Sequence, residues 1–246
     1  MDIFLCPGCG CIMADTGYEP GQYDSEDYYT LASVELSDME RRWGFRSRHI
    51  LNRILEYQET AGSLLDVGAG NGYFVRVAGK EFGMHAAGIE ISDTAVRFAR
   101  DNLGVELILG DVATHRGEYD VVTSFNVIEH LENPQRHMAE LLRVLKPGGS
   151  LVITTPNPRC IQRLAVGLEK WKMICPPHHL NLFPVDAMKA LLDQFELRIV
   201  HHETLSTFVK IVRKIDTSNL LLRRLFFNAF RVLGLGADHL FIAQRD

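Results

Sequence analysis

The chain has 246 residues, 46% of them apolar, with 26 basic against 31 acidic side chains and a formal net charge of -5. That much apolar content at that length builds one substantial α/β core, and the acidic balance offers no global attraction to phosphate polymers, so nucleic acid is disfavoured as a partner. No apolar run reaches the roughly 20 residues that span a bilayer, and no basic segment leads into an apolar run with a cleavage site. Together these predict a cytoplasmic protein.

Residues 1–30 read as a small cysteine-rich knuckle followed by an acidic, tyrosine-rich stretch from Tyr18 to Tyr29, and residues 31–246 as the main domain. Three of the five cysteines crowd into Cys6-Pro-Gly-Cys-Gly-Cys11, while Cys160 and Cys175 lie far off, which is not the spread of a disulfide framework. Cys6 and Cys9 have the spacing at which two thiolates reach one tetrahedral zinc ion. A complete site needs Cys11, Cys175, His178 or a second subunit, so a structural zinc and a metal-free remnant both stand.

Apolar residues at Met39, Trp43, Ile50, Leu51, Ile54 and Leu55 predict a helix over 37–57, with Ser37 or Asp38 as its cap. Strands follow at 63–67, 86–91, 105–109, 119–125 and 149–155, with helices at 72–82, 93–102 and 134–145 between them. This alternation predicts right-handed βαβ units in a doubly wound, mostly parallel α/β sheet, whose ligands sit beyond the carboxyl ends of the strands. After Pro158 the rhythm breaks. Residues 158–180, ending on Cys175-Pro-Pro-His-His-Leu180, form a lid candidate, then come a helix at 184–194 and a strand at 196–203. A second insertion, 208–234, carries Lys210, Arg213, Lys214, Arg223, Arg224 and Arg231 among leucines and phenylalanines. It reads either as a helix packed on the sheet with a solvated basic face or as a surface that touches membrane or a lipid-linked acceptor. A strand at 238–245 closes the chain.

The first strand runs into Leu64-Leu-Asp-Val-Gly-Ala-Gly-Asn-Gly-Tyr-Phe74. The glycine spacing misses the Gly-x-Gly-x-x-Gly of dinucleotide sites, and no Gly-Lys-Ser/Thr follows as in a phosphate loop. Instead three acids stand at three successive strand ends. Asp66 can meet a positive group, Glu90 can accept both hydroxyls of a ribose, and Asp111 can accept from an exocyclic amine. A ligand with an amine, a diol and a base, and without phosphate, satisfies all three.

Leu65-Asp-Val-Gly-Ala-Gly-Asn-Gly72, Gly88-Ile-Glu-Ile-Ser92, Gly110-Asp-Val112, Phe125-Asn-Val-Ile-Glu-His-Leu131 and Leu142-Arg-Val-Leu-Lys-Pro-Gly-Gly149 occur in that order. The set resembles the Rossmann-like, class I methyltransferases that use S-adenosylmethionine and release S-adenosylhomocysteine, over residues 40 to 200. The resemblance implies a seven-stranded sheet. It places Asp66, Val67, Gly68, Ala69, Gly70, Gly72, Tyr73 and Phe74 along the methionine moiety, Glu90 and Ile91 at the ribose, Asp111 and Val112 by the adenine, and Asn126 on the cofactor floor. The cysteine pair is similar to half of an N-terminal zinc ribbon in some sugar and natural-product methyltransferases. That tilts the acceptor toward a small molecule, a sugar or a lipid-linked intermediate, with O-methylation expected.

Methyl transfer from a sulfonium is an in-line displacement that needs close alignment and a base for a protonated acceptor. The Glu129-His130 run and the His178-His179 pair are the candidates, and adjacent histidines on an extended chain point to opposite sides. Some relatives bind a divalent metal through a Glu-x-x-Glu-His run where this chain has Asn126-Val-Ile-Glu129-His130, so the lost acid predicts no catalytic metal. Two other classes stay open. A nicotinamide-dependent oxidoreductase would bind nicotinamide and not S-adenosylmethionine, and a non-catalytic binding module would carry a degraded cofactor loop.

Overall fold

The computed structural model describes residues 3–14, 35–58, 62–167, 171, 173, 178–205, 229 and 232–245. The stretch 18–29, Cys175, part of the 158–180 lid and nearly all of 208–234 lie outside the described residues.

Strands β1 (Ile3–Leu5) and β2 (Ile12–Ala14) form an antiparallel hairpin whose turn holds the cysteine cluster. Helix α1 (Leu36–Met39) passes through a π-helical turn, Glu40–Gly44, into α2 (Phe45–Tyr57). Neither Ser37 nor Asp38 caps it. The helix starts a residue earlier than expected, both residues lie inside its first turn, and the capping position is Glu35 with no side-chain hydrogen bond. Then follow β3 (Ser63–Val67), α3 (Tyr73–Phe82), β4 (His85–Glu90), α4 (Asp93–Phe98) and β5 (Ile108–Leu109). Next come β6 (Tyr119–Phe125), α5 (Pro134–Arg143), β7 (Leu145–Pro156) and α6 (Ile161–Val166). The chain closes with β8 (Asn181–Leu182), α7 (Val185–Asp193), β9 (Leu197–Leu205) and β10 (Asp238–Arg245). Helix starts carry their signals: Ser92 Oγ accepts from the Ala95 N–H at α4, and Asn133 Oδ1 from the Arg136 N–H at α5, with Pro134 in the first turn.

Strand order in the main sheet is β5-β4-β3-β6-β7-β10-β9, with every pairing parallel except the two made by β10. Strand alternation feeds two cores. Leu64, Val121, Val152, Leu240 and Ile242 face α2 and α3, while Leu65, Val122, Ile153, Phe241 and Ala243 face α5 and α7. The strand expected at 105–109 shrinks to β5, because Gly104 takes a left-handed turn (φ 63) and the Val105 N–H donates to Ala99 O, turning Val105 and Leu107 into the core. The strand expected at 149–155 begins four residues early, with Lys146–Gly149 standing out of register as Tyr119 pairs Leu145 and Val121 pairs Ser150.

A small second sheet, β1-β2-β8, was not expected from the sequence; it fastens the cysteine hairpin to the segment that follows the lid. Among the described residues no helix is long and apolar enough to cross a membrane.

The connections run outward from β3 through β4 to β5, and in the other direction from β6 to β7. The sheet therefore reverses its winding between β3 and β6, and ligand crevices of doubly wound sheets open at such a point beyond the carboxyl ends. The loops after β3 and β6 are Gly68–Gly72 and Asn126–His130.

Candidate active site

The loop after β3 holds Gly68, Gly70 and Gly72 at φ values of 78, 54 and 76, a region that L side chains rarely enter. The first and second of these glycines do different work. A Cβ on Gly68 would sit 2.4 Å from Val127 Cγ2 of the facing loop, whereas one on Gly70 would meet nothing within 4 Å. Gly68 lets two loops pass, and Gly70 leaves space beside the backbone. Main-chain N–H groups of Gly68 and Ala69 donate to Ile89 O at 2.9 and 3.0 Å, tying the loop to β4.

Glu90, only 3% exposed, ends that strand; its Oε2 accepts from the Gly70 N–H at 2.7 Å and its Oε1 from the Ser92 N–H at 3.0 Å. Both carboxylate oxygens are thereby oriented. Ile91 next to it is half exposed, an apolar surface at the strand end. Asp111 Oδ1 accepts from the Ala113 N–H at 2.8 Å, capping a 3₁₀ turn, and Val112 is buried behind it. Val67, Tyr73 and Phe74 turn their side chains into the core: Phe74 meets Phe125 edge-on at 4.7 Å, and the Tyr73 hydroxyl donates to Glu40. These three shape the loop from behind.

Asp66 is 2% exposed, and Thr123 Oγ1 donates to its Oδ1 at 2.6 Å. Burial pushes its carboxyl up to about 7, the Thr123 hydrogen bond opposes this, and the Glu90 charge adds to it.

Across the crevice, Asn126 adopts a left-handed φ of 53, a strained conformation for a residue with a side chain. It is held by its N–H donating to Thr154 O at 2.9 Å and by Thr154 Oγ1 donating to its Oδ1 at 2.8 Å. The 3₁₀ turn that follows presents Glu129 and His130. Glu129 is fully buried; Thr155 Oγ1 donates to its Oε2 at 3.2 Å, and its Oε1 has no hydrogen-bond partner of good geometry. Burial drives this carboxyl up to about 8, against weak help from its own N–H, Thr155 and Asn126. His130 Nδ1 lies 2.5 Å from His178 O, and His179 Nδ1 lies 2.6 Å from Met173 O. Burial lowers His130 to about 4 and lowers His179 as well, so both rings are neutral at pH 7.

Glu129, His130 and His179 each bring a ligating atom within 4.8 Å of the others, and the two rings stand 4.8 Å apart at 62°. Of the three expected catalytic histidines, two meet; His178 contributes its carbonyl. Sequence reasoning set Glu129 beside His130 in one run but missed that both meet His179. It also missed the largely buried Arg46–Asp238 ion pair, whose carboxylate acts on both Glu129 and His179. Those partners are 192 residues apart, and only the fold brings them together.

At the β1–β2 turn, the Gly10 N–H donates to Cys6 O at 2.9 Å and the Cys6 N–H to Cys11 O at 2.8 Å. Main-chain N–H groups of Cys9 and Gly8 lower the Cys6 thiol, while burial pushes Cys11 up to about 12. Cys6 and Cys9 are thus the outward pair, and Cys11 belongs to the core.

The sequence model of the methyltransferase domain family matches residues 36–202, which include both loops. The chain belongs to the methyltransferase-domain family. It is 32% identical over 145 residues to a ubiquinone biosynthesis O-methyltransferase of Thiobacillus denitrificans, covering 50% of this chain and 62% of that protein. Against a protein of the same description from Vibrio parahaemolyticus it is 27% identical over 219 residues, covering 76% and 92%. For the first of these relatives the match spans less than two thirds of the protein's own length. A crystal structure of a SAM-dependent methyltransferase from Archaeoglobus fulgidus shares the fold, with a TM-score of 0.60 at 20% identity, covering 89% of this chain and all of that one. Its family and fold are those of the class I, Rossmann-like methyltransferases, a kind of enzyme whose cofactor is S-adenosylmethionine.

Proposed function

We propose that this methyltransferase methylates an oxygen on a small hydroxylated acceptor of the phenol or hydroquinone type. The observation that carries this reading is the convergence of Glu129, His130 and His179 across the crevice from the glycine loop. In the proposed assignment Glu90 holds the ribose diol with Ile91 beside it, Asp111 lies by the adenine, and Gly68 to Gly72 with Asp66 border the methionine end. Asn126 forms the floor between cofactor and acceptor. The acceptor hydroxyl gives up its proton at the cluster, and its oxygen attacks the methyl carbon. The carbon–sulfur bond breaks with its electron pair left on sulfur, so the sulfonium becomes a neutral thioether. Neutral imidazoles suit this step, since a ring already protonated could not accept the proton.

Relatives named for ubiquinone biosynthesis and for 2-methyl-6-phytyl-1,4-hydroquinone methylation support a hydroxylated ring as the acceptor class. Methyl-labelled S-adenosylmethionine should be incubated with ortho-diphenols, para-hydroquinones and sugar nucleotides, and the products analysed by mass spectrometry and NMR. The expected product is a methyl ether of a ring hydroxyl. Label found only on carbon or nitrogen, or only on sugars, would overturn the assignment.

A further inference from the structure

We infer that Arg143, at the end of α5, is the positioning residue that holds Asp111 against the adenine and thereby sets the preference of the cofactor site for that base. This rests on the reading that Asp111 lies by the adenine, and three features of the structure support it.

The first is the make-up of the crossover that carries Asp111. Parallel strands are ordinarily joined through an α-helix, which fixes the connection by packing an apolar face on the sheet. Here residues 110–118 alone lead from β5 past β4 and β3 to β6, and their regular structure is the single 3₁₀ turn Val112–Thr114. Val112 is the one buried residue of that turn. Its hydrogen bonds are local: the Ala113 N–H donates to Asp111 Oδ1 at 2.8 Å, the Thr114 N–H and Oγ1 to Asp111 O at 3.2 and 3.0 Å, and the His115 N–H to Val112 O at 3.1 Å. Such bonds shape the turn without placing it on the sheet.

The second is a clamp from another element. Arg143 Nη1 donates to His115 O at 2.8 Å, and its Nη2 to Val112 O at 2.5 Å and to Ala113 O at 3.3 Å. One guanidinium thus takes up three carbonyls at the carboxyl end of the turn, while Asp111 caps its amino end. The turn is three residues long, so a shift at the clamped end carries through to the Asp111 carboxylate. The third is the footing of the clamp. Arg143 closes α5, which buries Met138 and Leu141 fully in the core, so the guanidinium projects from an element that is itself fixed. Its donors form a rigid planar fork that reaches several carbonyls at once, which a lysine ammonium on a flexible stem does not reproduce.

The test is calorimetric binding to the full chain of S-adenosylhomocysteine and two analogues: S-inosylhomocysteine, which carries a carbonyl in place of the exocyclic amine, and the 2′-deoxy form, which lacks one ribose hydroxyl. The wild type should prefer S-adenosylhomocysteine to the inosine analogue by about 30-fold or more, because the analogue sets one hydrogen-bond acceptor against another. Arg143→Met should shrink that preference by about tenfold, the cost of a misplaced contact group. Its penalty for the 2′-deoxy form should stay within about twofold of wild type, since Glu90 is oriented separately by the Gly70 and Ser92 N–H groups. Arg143→Lys should fall between the two, and Asp111→Asn, whose amide can serve either base, should abolish the preference. A wild-type preference in Arg143→Met beside a lost one in Asp111→Asn overturns the role of Arg143 and leaves the adenine reading standing. Equal changes for both analogues in Arg143→Met would mark a general support of the fold and overturn that role as well. A wild-type preference in Asp111→Asn overturns the adenine reading itself, and the inference with it.

Discussion

His179→Ala is expected to lower turnover by about 10²–10⁴-fold, the range over which positioned acid–base groups act, while its neighbour His178→Ala stays close to wild type. The contrast follows from what each residue gives the site. His179 brings its ring to Glu129 and His130, with Nδ1 anchored on Met173 O. His178 supplies its main-chain carbonyl to His130 Nδ1, and alanine at that position keeps the carbonyl. His130→Ala should resemble His179→Ala. Affinity for S-adenosylhomocysteine should move by no more than about threefold in any of the three, since Glu90 and Gly70 stand across the crevice from the three histidines. Steady-state kinetics with calorimetry on the same samples checks this. Equal damage from His178→Ala and His179→Ala, or full turnover in His179→Ala, would remove the cluster from the mechanism.

Cofactor affinity should rise with pH and level off near pH 7, and Asp66 is the group responsible. Its carboxyl is pushed up to about 7, chiefly by burial. The ordinary value for aspartate is about 4, so between about pH 4 and pH 7 the folded, ligand-free protein binds a proton that the unfolded chain has released. Folding stability therefore falls through that window as pH rises, and above it the ionised carboxylate remains as a standing cost. An ammonium group at the methionine end of the cofactor removes that cost by favouring the ionised form. Binding below pH 7 then expels a proton, and affinity gains up to about tenfold per pH unit in that range. Calorimetry at pH 6 in two buffers of different ionisation enthalpy should show a proton released, and at pH 8 almost none. Asp66→Asn should lose the pH dependence and bind about 30-fold more weakly or worse, because a buried positive group is left without its partner. Identical pH profiles for wild type and Asp66→Asn would show that Asp66 does not face the cofactor's charge.

The placement of the β3 side of the crevice was legible in the sequence because it is local. Gly68 to Gly72, Glu90 and Asp111 each follow a strand that period and apolar content reveal, and the parallel sheet sets those strand ends side by side. Side-chain direction was less legible. Tyr73 and Phe74 stand beside the glycines in sequence yet point into the core, as the first turn of α3 requires. The acceptor half depends on contacts between distant segments. Asn126 in place of an acid predicted a lost metal ligand, but which residue approaches Glu129 from the lid side is decided by β8 pairing with β2 and by the Leu180 N–H donating to Glu129 O at 2.7 Å. No spacing within either segment announces that approach. The same holds for Arg46 and Asp238, joined only because α2 lies against β9 and β10.

The central claim is that cofactor and acceptor meet between the loops after β3 and β6, and a crystal structure with S-adenosylhomocysteine tests it most directly. The ribose hydroxyls should lie on Glu90 and the sulfur should face the Glu129, His130 and His179 side of Asn126. A nucleoside bound away from Glu90, or a sulfur directed away from that cluster so that no methyl group could point toward it, would contradict the account.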